Sequence, residues 1–223
     1  MVQARVVETE QGIQGEFNVN LYDQMQRKLR DRGWIETKDI IKSGITSGHA
    51  LEVGSGPGYL GLEWLKNTKD TTLTGLDISP DMIHLAKHNA EEYGLTDRVE
   101  YIESSGEAMP FEDHLFDAVF TNGSLHEWRD PHQTFNELWR VVKPGGRLFV
   151  SDLRRDMNIL VRWFLWLNTR PKAIRPGLKT SIQAAYTSAE LKNLIKETKL
   201  SACEVAANPI GLIISGVKPG PAV

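Results

Sequence analysis

Three glycines at alternate positions, Gly54, Gly56 and Gly58, follow an apolar run in which Glu52 stands between Leu51 and Val53. Glycine lets the backbone turn sharply and lets a ligand approach without interference from a Cβ. Twenty-three residues past Gly54, a second apolar run, Leu73-Thr74-Gly75-Leu76, ends in Asp77. An acid about 20 residues beyond such a turn, at the tip of the next parallel strand, can accept hydrogen bonds from a ribose diol. The spacing describes a nucleoside-shaped ligand lying across the carboxyl ends of two neighbouring strands.

A rival ligand has to be weighed, because Gly56-Pro57-Gly58-Tyr59-Leu60-Gly61 also satisfies the dinucleotide fingerprint. Pro57 removes a backbone N–H where a pyrophosphate loop would use as many as possible. Glu52 brings a negative charge that repels phosphate and attracts an ammonium or sulfonium. The motif also starts about 50 residues into the chain, behind a helical segment. A nicotinamide-dependent oxidoreductase remains the first alternative, and a binding protein without chemistry the second.

The elements that must hold these residues alternate strand and helix, the pattern of a doubly wound, mostly parallel sheet covered on both faces. Strands are expected at Ala50–Val53, Thr72–Asp77, Val99–Glu103, Phe116–Thr121, Gly146–Asp152, Cys203–Ala207 and Leu212–Val217. The last two flank Asn208-Pro209 and predict a reversed final edge. Ser79 with Pro80 opens one helix and Gly94 closes it. Asp130-Pro131 opens another, with Pro144-Gly145-Gly146 as its stop, and Thr187-Ser188-Ala189-Glu190 forms a capping box. Apolar spacing through Leu21, Met25 and Leu29 predicts helix from Asn20 to Ser43, with stops at Gly33 and Gly44. The whole reads as one Rossmann-like α/β domain of seven strands with the last antiparallel. It divides into a helical N-terminal cap (1–48), a cofactor-binding core (49–152), an acceptor lid (153–186), and a last helix with edge strands (187–223).

At 223 residues, 40% hydrophobic and 25% charged, the chain is ordinary for a globular protein of one domain. A net charge of −3 gives no global case for nucleic acid. The single Cys203 excludes an intrachain disulfide and reads as a buried structural thiol. Acids in the first ten residues argue against a leader peptide. The longest apolar stretch, Ile159 to Leu167, is interrupted by Arg162 and is too short to span a bilayer. A cytoplasmic enzyme, monomeric or homodimeric, is the expectation. His126 and His132 have no third ligand at metal-site spacing, so no metal is expected.

Later motifs add specificity. Met109-Pro110-Phe111 precedes Phe116-Asp117-Ala118-Val119, and these are followed by Leu125-His126-Glu127-Trp128 and by Arg140-Val141-Val142-Lys143-Pro144-Gly145-Gly146. With the glycine turn and Asp77, this ordered set resembles the class I S-adenosylmethionine-dependent methyltransferases over roughly residues 48–155. Within them it resembles the small-molecule branch that contains the quinone-biosynthesis C-methyltransferases. The resemblance implies that S-adenosylmethionine is the cofactor and S-adenosylhomocysteine its product. Gly54, Gly56 and Gly58 would line the methionine and ribose portions, with Glu52 beneath the turn near the ammonium. Asp77 would hold the ribose hydroxyls, and Ile78 and Met82 would pack on adenine. Asn122, Gly123 and Leu125 would border the sulfonium. The family places an adenine-binding acid four residues before Met109, where this chain has Ser105; Glu107 or backbone groups around Gly106 would substitute.

On the acceptor side the resemblance makes His126 the first candidate for a general base and Glu127 the second. The segment from Asp152 to Tyr186 departs from a minimal methyltransferase. Its Arg154-Arg155-Asp156 and the run Ile159 to Leu167, with Trp163, Phe164 and Trp166, suit a small aromatic or lipid-like acceptor bearing an anionic group. Packing on the core or on a second copy, and peripheral membrane contact, are the other readings of this segment.

Overall fold

The computed structural model describes residues 4–6 and 13–220. Most of the first ten residues, on which the leader expectation rests, lie outside the described residues. Two helices come first, α1 (Glu16–Asp31) and α2 (Thr37–Lys42), then β1 (Gly48–Val53), α3 (Tyr59–Lys66), β2 (Thr71–Asp77) and α4 (Pro80–Tyr93). β3 (Val99–Glu103), β4 (Phe116–Asn122), α5 (Pro131–Val141) and β5 (Val142–Leu153) complete the parallel part of the sheet. α6 (Ile159–Asn168), α7 (Arg175–Ala184) and α8 (Ser188–Lys196) precede the hairpin of β6 (Glu204–Ala207) and β7 (Gly211–Val217).

The seven strands are ordered β3-β2-β1-β4-β5-β7-β6. β1 to β5 are mutually parallel, and β7 is antiparallel to both of its neighbours. The order reverses between β1 and β4, so a crevice opens at their carboxyl ends, where open α/β sheets take ligands.

Period-2 alternation assigns each strand residue to one of two cores. Ala50, Ala118, Phe120 and Phe149 face Ile40 of α2 and Trp64 of α3. Their neighbours Leu51, Val119, Leu148 and Val150 face Phe135 and Leu138 of α5 and Leu191 and Ile195 of α8. Each of these large side chains stabilises the fold by roughly 1.5–3 kcal/mol when fully removed from water. Trp64 also donates its indole N–H to the Ile45 carbonyl at 2.9 Å, so its polar edge is satisfied inside the core.

The expected helix ends are present. The Ser79 hydroxyl accepts the Met82 N–H, Gly94 is left-handed at φ 63°, and Thr187 and Glu190 form the reciprocal capping box. The helical segment expected from Asn20 to Ser43 is two helices, interrupted at the expected stop, where Gly33 takes φ 67°. Two expectations change. Pro144-Gly145-Gly146 does not end α5, which stops at Val141. It lies inside β5 as an irregularity between the pairings Phe116↔Val142 and Ala118↔Arg147. Gly146 is required there because a Cβ would come within 2.8 Å of the Asp117 carbonyl. The reversed strand is also not the edge. β7 inserts between β5 and β6 because Leu212, Ile213 and Ile214 bury both of its faces, whereas β6 is mostly exposed. Cys203 sits one residue before β6, half-buried against Gly216, and burial pushes its thiol pKa up.

Candidate functional site

The crevice at the switch point is a cavity of about 360 Å³ lined by Gly54, Gly56, Asp77, Ile78, Met82, Ser105, Gly106, Glu107, Asn122, Gly123 and Glu127. Eleven of the fifteen residues singled out from the sequence therefore meet in one place, contributed by the ends of β1, β2, β3 and β4. Ile13, Tyr22, Ser104, Ser124, Trp128, Arg129 and Thr134 join them. No residue of 153–186 lines it; its outer wall comes from Ile13 and from Tyr22 of α1.

The glycine turn is held by its own backbone. Gly54 and Ser55 donate N–H bonds to the Leu76 carbonyl at 2.8 and 3.1 Å, and Gly58 donates to Ser55 O at 2.9 Å. Gly56 donates to Asp77 Oδ2 at 2.7 Å. With Pro57 carrying no N–H, every donor from residue 54 to 58 is committed within the protein. A pyrophosphate would find none of the backbone donors that a dinucleotide loop supplies.

The glycines divide by purpose. At Gly54 a Cβ would lie 2.6 Å from Ser124 Cβ, so the turn and the β4 loop touch across the cavity floor. Gly58 does not line the cavity. It faces Tyr101, whose hydroxyl would stand 2.4 Å from an added Cβ. Gly61 is filled from behind in the same way by the Glu52 carboxyl and Leu73, each 2.3 Å from an added Cβ. Two of the three glycines that fit the dinucleotide pattern are thus packing positions.

Asp77 lies at the tip of β2, 9% exposed. Its Oδ1 accepts the Ser79 N–H at 2.9 Å and its Oδ2 the Gly56 N–H. Burial raises its pKa, and the N–H groups of Ser79, Gly56 and Ile78 oppose that rise by stabilising the charge. Each oxygen keeps a further acceptor direction for a ligand hydroxyl. Glu52 sits under the turn and outside the cavity wall. Burial, reinforced by the Asp77 charge, lifts its pKa well above the usual carboxylate value, and the Gly61 N–H works against that lift.

The outer wall is tied down by polar contacts. Ser79 Oγ donates to the Ile13 carbonyl at 2.7 Å, and Gly15 N–H donates to Asp81 at 2.9 Å. Tyr59 of α3 donates to Asp23 of α1 at 2.7 Å, and Arg27 bridges Asp23 to Asn89 of α4. Past the end of β3, the Glu107 carboxyl is turned to Arg129 and to the Asp130 N–H, both at 2.9 Å. It therefore caps the start of α5. Ser105 Oγ accepts the Glu107 N–H at 3.2 Å.

The β4 loop rearranges the remaining candidates. Leu125 is 2% exposed in the core beneath α5, away from the cavity, because the 3-10 turn at Leu125–Glu127 points it inward. His126 is buried behind the wall. Its Nδ1 lies 2.8 and 3.0 Å from the two Asp152 oxygens, and its backbone N–H donates to Asp152 at 2.6 Å. A carboxylate only accepts, so the ring proton belongs on Nδ1 and Nε2 is the basic nitrogen. Nε2 is 3.9 Å from Glu127 Oε1, and Glu127 does line the cavity. Arg5 straps this turn to α7 by bonding the His126 and Ala184 carbonyls.

Besides the further lining residues, sequence reasoning left out two acids that stand behind the cavity wall, Asp152 and Glu36. Asp152 could have been found, since it closes β5 and strand carboxyl ends carry ligands and chemistry in this architecture. Glu36, between α1 and α2, reaches the side chains of Ser151 and Asn122; burial raises its pKa. Its Oε2 has no hydrogen-bond partner among the described residues.

Fold and crevice define a Rossmann-like nucleoside-binding domain of the seven-stranded, reversed-β7 type. Residues 51–150 match the methyltransferase-domain family. Over 124 residues the chain is 31% identical to a ubiquinone/menaquinone biosynthesis C-methyltransferase of Hahella chejuensis, covering 55% of this chain and 50% of that protein. It is 35% identical over 120 residues to an uncharacterized methyltransferase of Bacillus subtilis, covering 53% and 64%. The chain thus aligns with about half to two thirds of the length of these curated relatives. A solved structure from Methanococcus maripaludis, described as an S-adenosyl-L-methionine-dependent methyltransferase, superposes with a TM-score of 0.75. It is 22% identical and covers 98% of this chain and 99% of that one, which shows a shared fold. Over residues 51–150, a little under half of its length, the chain thus matches the methyltransferase-domain family, and it shares the fold of that solved structure.

Proposed function

We propose that this chain transfers a methyl group from S-adenosylmethionine to a small, partly apolar acceptor. The observation that carries the cofactor reading is the corner built by Gly54, Gly56 and Asp77. It offers a buried diol acceptor, no spare phosphate donors and no room for a Cβ at Gly54. Asp77 would hold the ribose hydroxyls, Ile78 and Met82 the adenine faces, and Asn122 and Gly123 the sulfonium end. When bound, the cofactor supplies an electrophilic methyl group on a positively charged sulfur.

The protein's part is orientation and exclusion of water, and positioning alone contributes on the order of 7–11 kcal/mol to such reactions. Where the acceptor is a hydroxyl or an acidic carbon, a proton must also leave. Glu127 faces the cavity and would take that proton on its carboxylate. His126, with Nδ1 anchored on Asp152, would present its basic Nε2 behind Glu127, as an acceptor for the proton that the carboxylate has taken up. This inverts the order expected from sequence, because His126 is only 4% exposed. Likeness to a quinone-biosynthesis C-methyltransferase supports an aromatic, lipid-like acceptor.

Calorimetric titration with S-adenosylmethionine, S-adenosylhomocysteine and NAD tests the reading. Micromolar binding of the first two without NAD is expected, and Asp77→Ala should weaken it by roughly 10- to 150-fold, the loss of a charge-assisted hydrogen bond. Binding of NAD alone would overturn it.

A further inference from the structure

We propose that α6 is a docking surface for an anionic lipid bilayer. Eight of its ten residues are apolar, and none is buried. Ile159, Leu160 and Trp163 are 72%, 71% and 63% exposed. Trp34, 49% exposed, extends the patch, with its ring centroid 6.4 Å from that of Phe164. Val161, Leu165 and Asn168 form a half-buried inner face, and the apolar outer face of the helix marks a surface with an unfilled partner.

Charge identifies the partner. In a chain of net charge −3, residues 153–189 hold seven basic residues and one acid, and that acid, Asp156, is paired with Arg154. Arg170, Lys172, Arg175 and Lys179 have no carboxylate partner among the described residues, whereas Arg162 turns inward to the Arg155 carbonyl. Arg175 lies over the Trp166 ring at 4.0 Å, placing a cation on the rim of the apolar face. Aromatic and aliphatic side chains framed by unpaired cations match an interface of acyl chains beneath anionic headgroups. A second copy of this chain fits worse, because a two-fold contact would set the same cations against themselves. At ten residues α6 is about 15 Å long, so it would lie in the plane of the bilayer.

The patch also adjoins the proposed acceptor side. Trp34 stands two residues before Glu36, which meets Asn122 and Ser151 at the ends of β4 and β5. A lipid-like acceptor could then leave the bilayer close to the site. That extension rests on the methyl-transfer reading; the docking does not.

The test is co-sedimentation of the protein with vesicles of phosphatidylcholine alone or with one quarter phosphatidylglycerol. Calorimetric affinity for S-adenosylmethionine is followed in parallel. Binding is expected to the anionic vesicles and to be lost at high salt. Leu160→Asp with Trp163→Asp should abolish it, and Lys172→Glu with Lys179→Glu should weaken it roughly tenfold or more, with cofactor affinity unchanged in both variants. All four side chains are exposed, so the fold is retained. The proposal is overturned if the wild type ignores anionic vesicles or if the aspartate variant binds them equally well. It is also overturned if the patch instead mediates a dimer that the aspartate variant dissolves. Loss of cofactor affinity in the wild type would count against the methyl-transfer reading and leave the docking result intact.

Discussion

The two sides of the crevice are built on opposite principles. On the β1–β2 side, every backbone donor of the glycine turn has a partner in the protein, and Asp77 is held by N–H groups on both oxygens. On the β4–β5 side, Glu36 keeps a buried oxygen without a partner among the described residues, His126 and Asp152 lie behind Glu127, and α6 has no fully buried residue. The backbone of the first side is held in place before any ligand arrives. Buried side-chain oxygens without a partner among the described residues occur on both sides, Glu52 Oε2, Ser55 Oγ and the Tyr101 hydroxyl on the first and Glu36 Oε2 on the second. The difference therefore lies in the committed backbone donors of the first side and in the exposed α6 beside the second.

Breaking the acceptor side gives the largest expected effect. Glu127→Gln should lower turnover on a true acceptor by roughly 10²–10⁴-fold, the usual contribution of a proton-transfer group, with cofactor affinity retained. Steady-state kinetics beside calorimetry separates the two. Unchanged turnover would remove proton transfer from the mechanism and leave positioning alone.

Gly58→Ala probes the scaffold beneath the other side. The left-handed conformation costs a non-glycine residue about 1–2 kcal/mol. The collision with Tyr101 adds overpacking of about 1–3 kcal/mol. Urea unfolding should show a loss of about 2–5 kcal/mol, with cofactor affinity near normal in the folded fraction. A selective loss of affinity would make Gly58 a ligand contact after all.

The smallest effect sharpens the contrast in electrostatics. Folding raises the Glu52 pKa above its ordinary 4.5, so the native state holds that proton more tightly than the unfolded chain does. Its contribution therefore favours folding least at high pH: stability should fall as pH rises from 4.5 through the folded pKa. Glu52→Gln should flatten this slope in denaturation midpoints measured from pH 4.5 to 8. The raised pKa values of Asp77 and Glu36 act in the same direction and leave part of the slope in place. An unaltered profile would show that Glu52 ionises freely.

The cofactor side was legible because its signals are local. Gly54, Gly56 and Asp77 are marked by backbone demands and by strand periodicity, and both survive without knowledge of the rest of the chain. Gly58 and Gly61 look the same in sequence, yet their neighbours Tyr101, Leu73 and Glu52 come from other elements, so their packing purpose was invisible. Leu125 was misplaced for a similar reason. Its neighbours His126 and Glu127 are polar, and only the 3-10 turn reveals which of the three points into the core.

The amino-acid sequence by itself determined the alternation of elements, the capping residues of α4 and α8, the corner of Gly54, Gly56 and Asp77, and the family resemblance. Each of these follows from short-range spacing, from glycine conformation and from hydrogen bonds within a few residues. The tertiary structure alone decided that β7 runs inside the sheet and that His126 meets Asp152 across 26 residues. It also brought Glu36 to the ends of β4 and β5 and left α6 exposed beside unpaired cations. These outcomes depend on which surfaces are buried together, and that is a property of the packed chain as a whole.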